Sequence, residues 1–74
     1  MSKQNDTLIL IGIKLKRIRI AKGYTSYENF AFDNELNAAY YFSVEKGRNI
    51  TIVYLERILK IHNITLEEFF KGFI

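Results

Sequence analysis

The chain has no cysteine and no proline, only four glycines, and a single histidine in 74 residues. Without thiols there is no disulfide framework, no thiolate metal site and no thiol redox chemistry, so nothing points to secretion and the cytoplasm is the expected location. No apolar run approaches the ~18 residues of a membrane-spanning helix, and the polar opening "MSKQND" has no signal-peptide apolar region beside it. Strand-like alternation is weak, and neither an internal repeat nor a low-complexity linker is present.

What is present is apolar: 49% of the residues, in a chain that is neither disordered nor stapled by disulfides. A chain this short holds one core and buries only ~60% of its unfolded surface, so a second copy covering exposed apolar surface is expected. Residues 1–7 are expected to form a flexible N-terminus and residues 8–74 a single all-α domain. The formal charge of +3 is unevenly distributed. Up to Tyr24 the cations Lys3, Lys14, Lys16, Arg17, Arg19 and Lys22 face Asp6 alone, and the remainder of the chain is net acidic. Such a basic end attracts phosphate, although a charge run is equally often a solvated helix face.

Caps and glycines divide the chain into five expected helices. Leu8, Ile11, Leu15 and Ile18 form one stripe of a first helix from Leu8 to Lys22, which Gly23 stops. Thr25 and Glu28 have capping-box spacing, placing a second helix from Thr25 or Ser26 to about Asp33, with Phe30 and Ala31 inward. Asn37 caps a third helix that buries Tyr41 and Val44 and ends at Gly47. A fourth runs from Ile52 to Ile61 with Ile52, Leu55, Ile58 and Leu59 inward, and Asn63 suits a left-handed end. Thr65 with Glu68 repeats the capping box and starts a fifth, where Leu66, Phe69, Phe70 and Phe73 are more than one short helix buries. With Ile13 and Ile20, which lie off the main stripe, Phe69, Phe73 and Ile74 are the expected dimer surface.

Three segments, "LKRIRIAKGYTSYENFA", "EKGRN" and "ITLEEFF", together resemble the lambda-repressor and Cro-like (XRE-type) helix-turn-helix family over about residues 8–70. The resemblance rests on Arg19 four residues before Gly23, on Ala31 fourteen before Glu45, and on the triplet Glu45-Lys46-Gly47. The Gly23 to Ala31 spacing is one residue longer than usual in the family. The resemblance implies a compact five-helix lambda-repressor-like domain with a central helix-turn-helix, binding double-stranded DNA as a homodimer of prokaryotic or phage type. It implies that the second helix crosses the DNA backbone and that the third enters the major groove. Thr25, Ser26 and Tyr27 at the start of the second helix, and Lys46, Arg48 and Asn49 after the third, then become phosphate contacts. Arg19 and Glu45 are implied to form an ion pair tying the first helix to the third.

With Tyr41 and Val44 inward, a wheel of about 100° per residue turns Ala39, Phe42, Ser43 and Lys46 outward, flanked by Ala38 and Tyr40. Relatives commonly carry Arg, Gln, Ser or Thr on this face, whose side chains pair with base edges. Three readings follow for Ala38, Ala39, Tyr40, Phe42 and Ser43 as base-facing residues. They read an A·T-rich site through thymine methyls and groove shape; or they leave specificity to half-site spacing and phosphates; or the domain is a protein-interaction module or antitoxin-like partner without base readout. No enzyme is expected: His62 stands alone as a helix-end charge complement, and Glu67 and Glu68 occupy the first turn of a helix, where the macrodipole favours them. No cofactor or metal is implied, and no separate ligand-sensing domain is expected in a chain this small.

Overall fold

The computed structural model describes residues 6–73. They form five helices: α1 (Asp6–Ala21), α2 (Tyr27–Asp33), α3 (Ala38–Glu45), α4 (Ile52–Ile61) and α5 (Leu66–Phe70). Residues 1–5 of the expected N-terminal tail and Ile74 lie outside the described residues, while Asp6 and Thr7 belong to the first turn of α1, with Asp6 at the end where the helix dipole favours an acid.

Each helix after the first begins on a side-chain oxygen that accepts a backbone N–H three residues on. Ser26 takes Asn29 N, Asn37 takes Tyr40 N, Thr51 takes Tyr54 N and Thr65 takes Glu68 N, the last with the reciprocal bond from Thr65 N to the Glu68 carboxylate. The capping box expected at Thr25 and Glu28 is not formed. Of the two expected starts of the second helix, Ser26 is the cap.

The first four helices end alike. At Gly23, Glu35, Gly47 and Asn63 the backbone enters the left-handed region, at φ of 109°, 57°, 101° and 57°. The next residue's N–H then returns to a carbonyl five residues back: Tyr24 to Arg19, Leu36 to Ala31, Arg48 to Ser43 and Ile64 to Leu59, at 2.8–3.1 Å. Glu35 is the unexpected member, since left-handed backbone disfavours a residue with a Cβ. Its turn is held from outside by Arg57, which donates to the Glu35 carbonyl at 2.9 Å, and from inside by the burial of Leu36.

Leu15, Phe30, Ala31, Tyr41, Val44, Leu55, Ile58, Leu59 and Phe69 make the fully buried core. Phe30 is its hub, with Tyr24 edge-on at 5.3 Å, Tyr41 tilted at 5.1 Å and the His62 ring parallel at 5.3 Å. His62 is therefore a packing residue and not the charged helix-end complement: burial and the nearby Lys22 hold its imidazole below the usual value. Ile52, expected inward, is 58% exposed, because the arc of Leu55, Ile58 and Leu59 carries the packing and Tyr54, against Tyr40, fills the first turn of α4 instead. Phe69, expected at a partner surface, is sealed in the chain's own core.

Candidate nucleic-acid interface

Two constraints set the position of α3. Arg19, buried near the end of α1, donates from Nε to Glu45 Oε2 at 2.8 Å and from Nη2 to Oε1 at 3.2 Å. Its remaining arm, Nη1, donates to the Tyr24 carbonyl at 2.7 Å, so the fork ties the last turns of α1 and α3 to the loop entering α2. The hydrogen bond it donates to Glu45 strengthens the guanidinium's hold on its proton. The Tyr41 hydroxyl lies buried beside this pair, where loss of water pushes its ionisation well up and keeps the phenol neutral. The second constraint is Gly12, whose missing side chain lets α1 lie directly against the carbonyls of Val44 and Glu45.

From α2 the alignment comes through rings. Tyr27 stacks on Phe42 at 4.4 Å and 27°, and Phe30 meets Tyr41 behind them. Phe42 is thus half-buried between helices rather than a free outward patch. Tyr40 is likewise half-buried, edge-on to Tyr54 at 4.9 Å. Burial pushes the Tyr54 hydroxyl up to about 12.

Of the expected base-facing residues, Ala39 is exposed and Ala38 half-buried at the N-terminal end of α3. Ser43, half-buried, turns its hydroxyl back to the Tyr40 carbonyl at 2.6 Å. Of the expected phosphate contacts, Thr25, Lys46, Arg48 and Asn49 are exposed. Ser26 spends its hydroxyl as the α2 cap, and Tyr27 lies partly beneath Phe42. Both cations rest on rings that flank the helix: Lys46 Nζ lies 5.1 Å from the Phe42 centroid and the Arg48 guanidinium 5.0 Å from that of Tyr40. The surface they frame is small and apolar at its centre and positive on either side.

The sequence placed the span of α3, with Tyr41 and Val44 inward, but did not place Tyr54 as the platform of Tyr40, Leu36 in the core or Gly12 against α3. For Gly12 a signal existed, a glycine inside an otherwise regular apolar helix. Among the described residues no cluster of His, Asp and Glu could hold a metal ion, and no helix is long and apolar enough to cross a membrane.

No family model matches the chain. It is 45% identical over 67 residues to control protein C.MunI of a Mycoplasma species, covering 89% of this chain and 90% of that one. It is 35% identical over 57 residues to control protein C.BamHI of Bacillus amyloliquefaciens, covering 76% and 70%. Among solved structures it is similar to the restriction-modification controller protein C.AhdI from Aeromonas hydrophila, at 33% identity and a TM-score of 0.77, over 89% of this chain and 100% of that one. All three of these relatives are control or controller proteins.

Proposed function

The chain belongs to the family of restriction-modification control proteins, and from that membership we propose that it is a DNA-binding transcriptional regulator of such a system. It acts as a homodimer on a roughly two-fold symmetric duplex site with α3 in the major groove. The observation that carries this reading is the outward edge of α3 at Ala38 and Ala39, bordered by Arg48 on Tyr40 and Lys46 on Phe42.

In this reading Ala38 and Ala39 approach thymine methyls, and Ser43 and the flanks of Tyr40 and Phe42 complete the base-facing surface. Lys46, Arg48 and Asn49 on one side, and Thr25 with the start of α2 (Ser26 and Tyr27) on the other, hold phosphates and fix the register. A helix surface with so few base-edge donors favours an A·T-rich site recognised through methyl contact and groove shape.

For the dimer, the outer side of α4 is better suited than α1. Val53 is 76% exposed beside Ile52, and Glu56 and Lys60 lie one turn apart along a shallow groove shared with Ile64 and Leu66. Two copies related by a two-fold axis meet the same patch on each other, so Glu56 of one copy is brought toward Lys60 of the other.

The test is selection of bound sequences from a randomised duplex library at near-physiological salt, repeated with Arg48→Ala and Tyr40→Ala. The proposal expects a short pseudo-palindromic, thymine-rich motif that Tyr40→Ala relaxes and Arg48→Ala weakens uniformly. Recovery of no motif, with residual binding lost at modest salt, would turn the reading toward a protein-interaction module on the same fold.

A further inference from the structure

Behind the reading helix, a groove of about 550 Å³ runs between α1 and the C-terminal turn at Gly72 and Phe73. Its floor is apolar, from Ile18, Ala21 and Phe73, and its rim carries Leu10, 50% exposed, and Ile13, 41% exposed. Exposed side chains of this size on neighbouring turns are more than the scattered apolar residues of an ordinary surface. Among the described residues that line the groove the charges are of one sign, Lys14 and Arg17, with no carboxylate side chain. Lys14 is already committed: it donates to the Phe69 carbonyl, and its amine lies 5.1 Å from the Phe69 ring and 5.3 Å from the Phe73 ring. Arg17 is exposed and has no hydrogen bond or ion pair among the described residues.

We propose that this groove docks an amphipathic helix of a protein partner, one whose apolar stripe is bordered by carboxylates. Four observations select that occupant. On a wheel of about 100° per residue, Leu10, Arg17 and Ala21 lie within about 40° of diametrically opposite Gly12, the point at which α1 touches α3. The groove therefore faces away from the reading helix and stays open when that helix is engaged. A second copy is a poor occupant, because a two-fold pairing across this face sets Lys14 and Arg17 against their own images. A helix with flanking Glu or Asp gives Arg17 the bidentate partner it lacks while its apolar residues cover Leu10, Ile13 and Phe73. From Leu10 to Ala21 the groove follows α1 for about 16 Å, which matches three turns of a docked helix with anchors at i, i+3 and i+7.

The test titrates the ¹⁵N-labelled full chain with a synthetic helical peptide carrying leucine at i, i+3 and i+7 and glutamate on the flanks. A matched peptide with lysine for glutamate serves as control. The expected result is saturable shift changes at Leu10, Ile13, Arg17 and Gly72 with the acidic peptide alone, weakened about tenfold by Arg17→Glu with an unchanged circular dichroism spectrum. Equal binding of the lysine peptide, shifts centred on α4 instead, or concentration-dependent self-association through the same residues would each overturn it. So would displacement of the acidic peptide by duplex DNA, which would make the face a phosphate surface. The peptide titrations themselves do not require the chain to bind DNA, so their failure is distinct from a failure of the DNA-binding reading.

Discussion

At Gly12 a single hydrogen atom separates α1 from the last turn of α3. A Cβ there would lie 2.5 Å from the Glu45 carbonyl oxygen and 2.7 Å from that of Val44, closer than atoms pack, and both neighbours are backbone that cannot swing aside. Alanine is the better helix former by about 1 kcal/mol, yet the overlap is expected to win. Gly12→Ala should lower the unfolding free energy by roughly 1–2 kcal/mol, the balance of overpacking against propensity; a urea melt in which the variant gains stability would contradict the close approach. His62 makes a second residue-scale expectation. Its imidazole value is depressed in the folded chain from the ordinary 6.5 by burial and by Lys22, so the unfolded chain takes up the proton first. Stability from this group is whole above about 6.5 and is lost as pH falls from there through the lower folded value, at up to ~1.4 kcal/mol per pH unit. His62→Phe keeps a ring against Phe30 and should flatten that part of the profile, measured as urea midpoints between about pH 7.5 and 5.

Between elements, the Arg19 fork is the joint that fixes α3 relative to α1. Removing either partner leaves a buried charge unanswered, so Arg19→Met and Glu45→Gln should each destabilise by about 3 kcal/mol. The double variant should lose much less than the sum of the two, because each single change already breaks the bond. Additive losses in a double-mutant cycle would mean that the two side chains act separately. Helix boundaries were largely legible in the sequence, because Asn37, Thr65, Gly23, Gly47 and Asn63 announce their roles by chemistry that acts within a few residues. Glu35 was not legible, since nothing local favours left-handed backbone there; Arg57, 22 residues on, and the burial of Leu36 hold it. The stacking of Phe42 on Tyr27 was hidden for the same reason, as a wheel gives the direction of a side chain but not the neighbour it meets.

For the whole molecule, the proposed DNA complex carries a quantitative signature in salt. Lys46 and Arg48 are the cations beside α3, so a dimer sets four of them on phosphates. The logarithm of affinity should then fall against the logarithm of salt with a slope of roughly −4, and Arg48→Ala in both copies should reduce the slope by about 2. A slope near zero would exclude phosphate neutralisation as the source of binding. The charged residues of this surface could be read from the chain, since loop cations beside a helix end need no tertiary knowledge. That Tyr40 and Phe42 serve as seats for those cations could not, because it depends on Tyr54 and Tyr27 arriving from other helices.

The four left-handed wraps at Gly23, Glu35, Gly47 and Asn63 bear finally on time. Each reversal of the chain is closed by a bond spanning five residues, from Tyr24 to Arg19 or from Ile64 to Leu59, so the corners can form before any distant contact exists. A helical chain built from such short-range closures meets little loop entropy on the way to its barrier and belongs among domains that fold in microseconds to milliseconds. With no proline to isomerise, refolding should run as a single fast exponential in stopped-flow fluorescence from its tyrosines. A newly made copy would thus be competent almost as soon as its last helix is free, and its rate of synthesis, not its folding, would set when it begins to act.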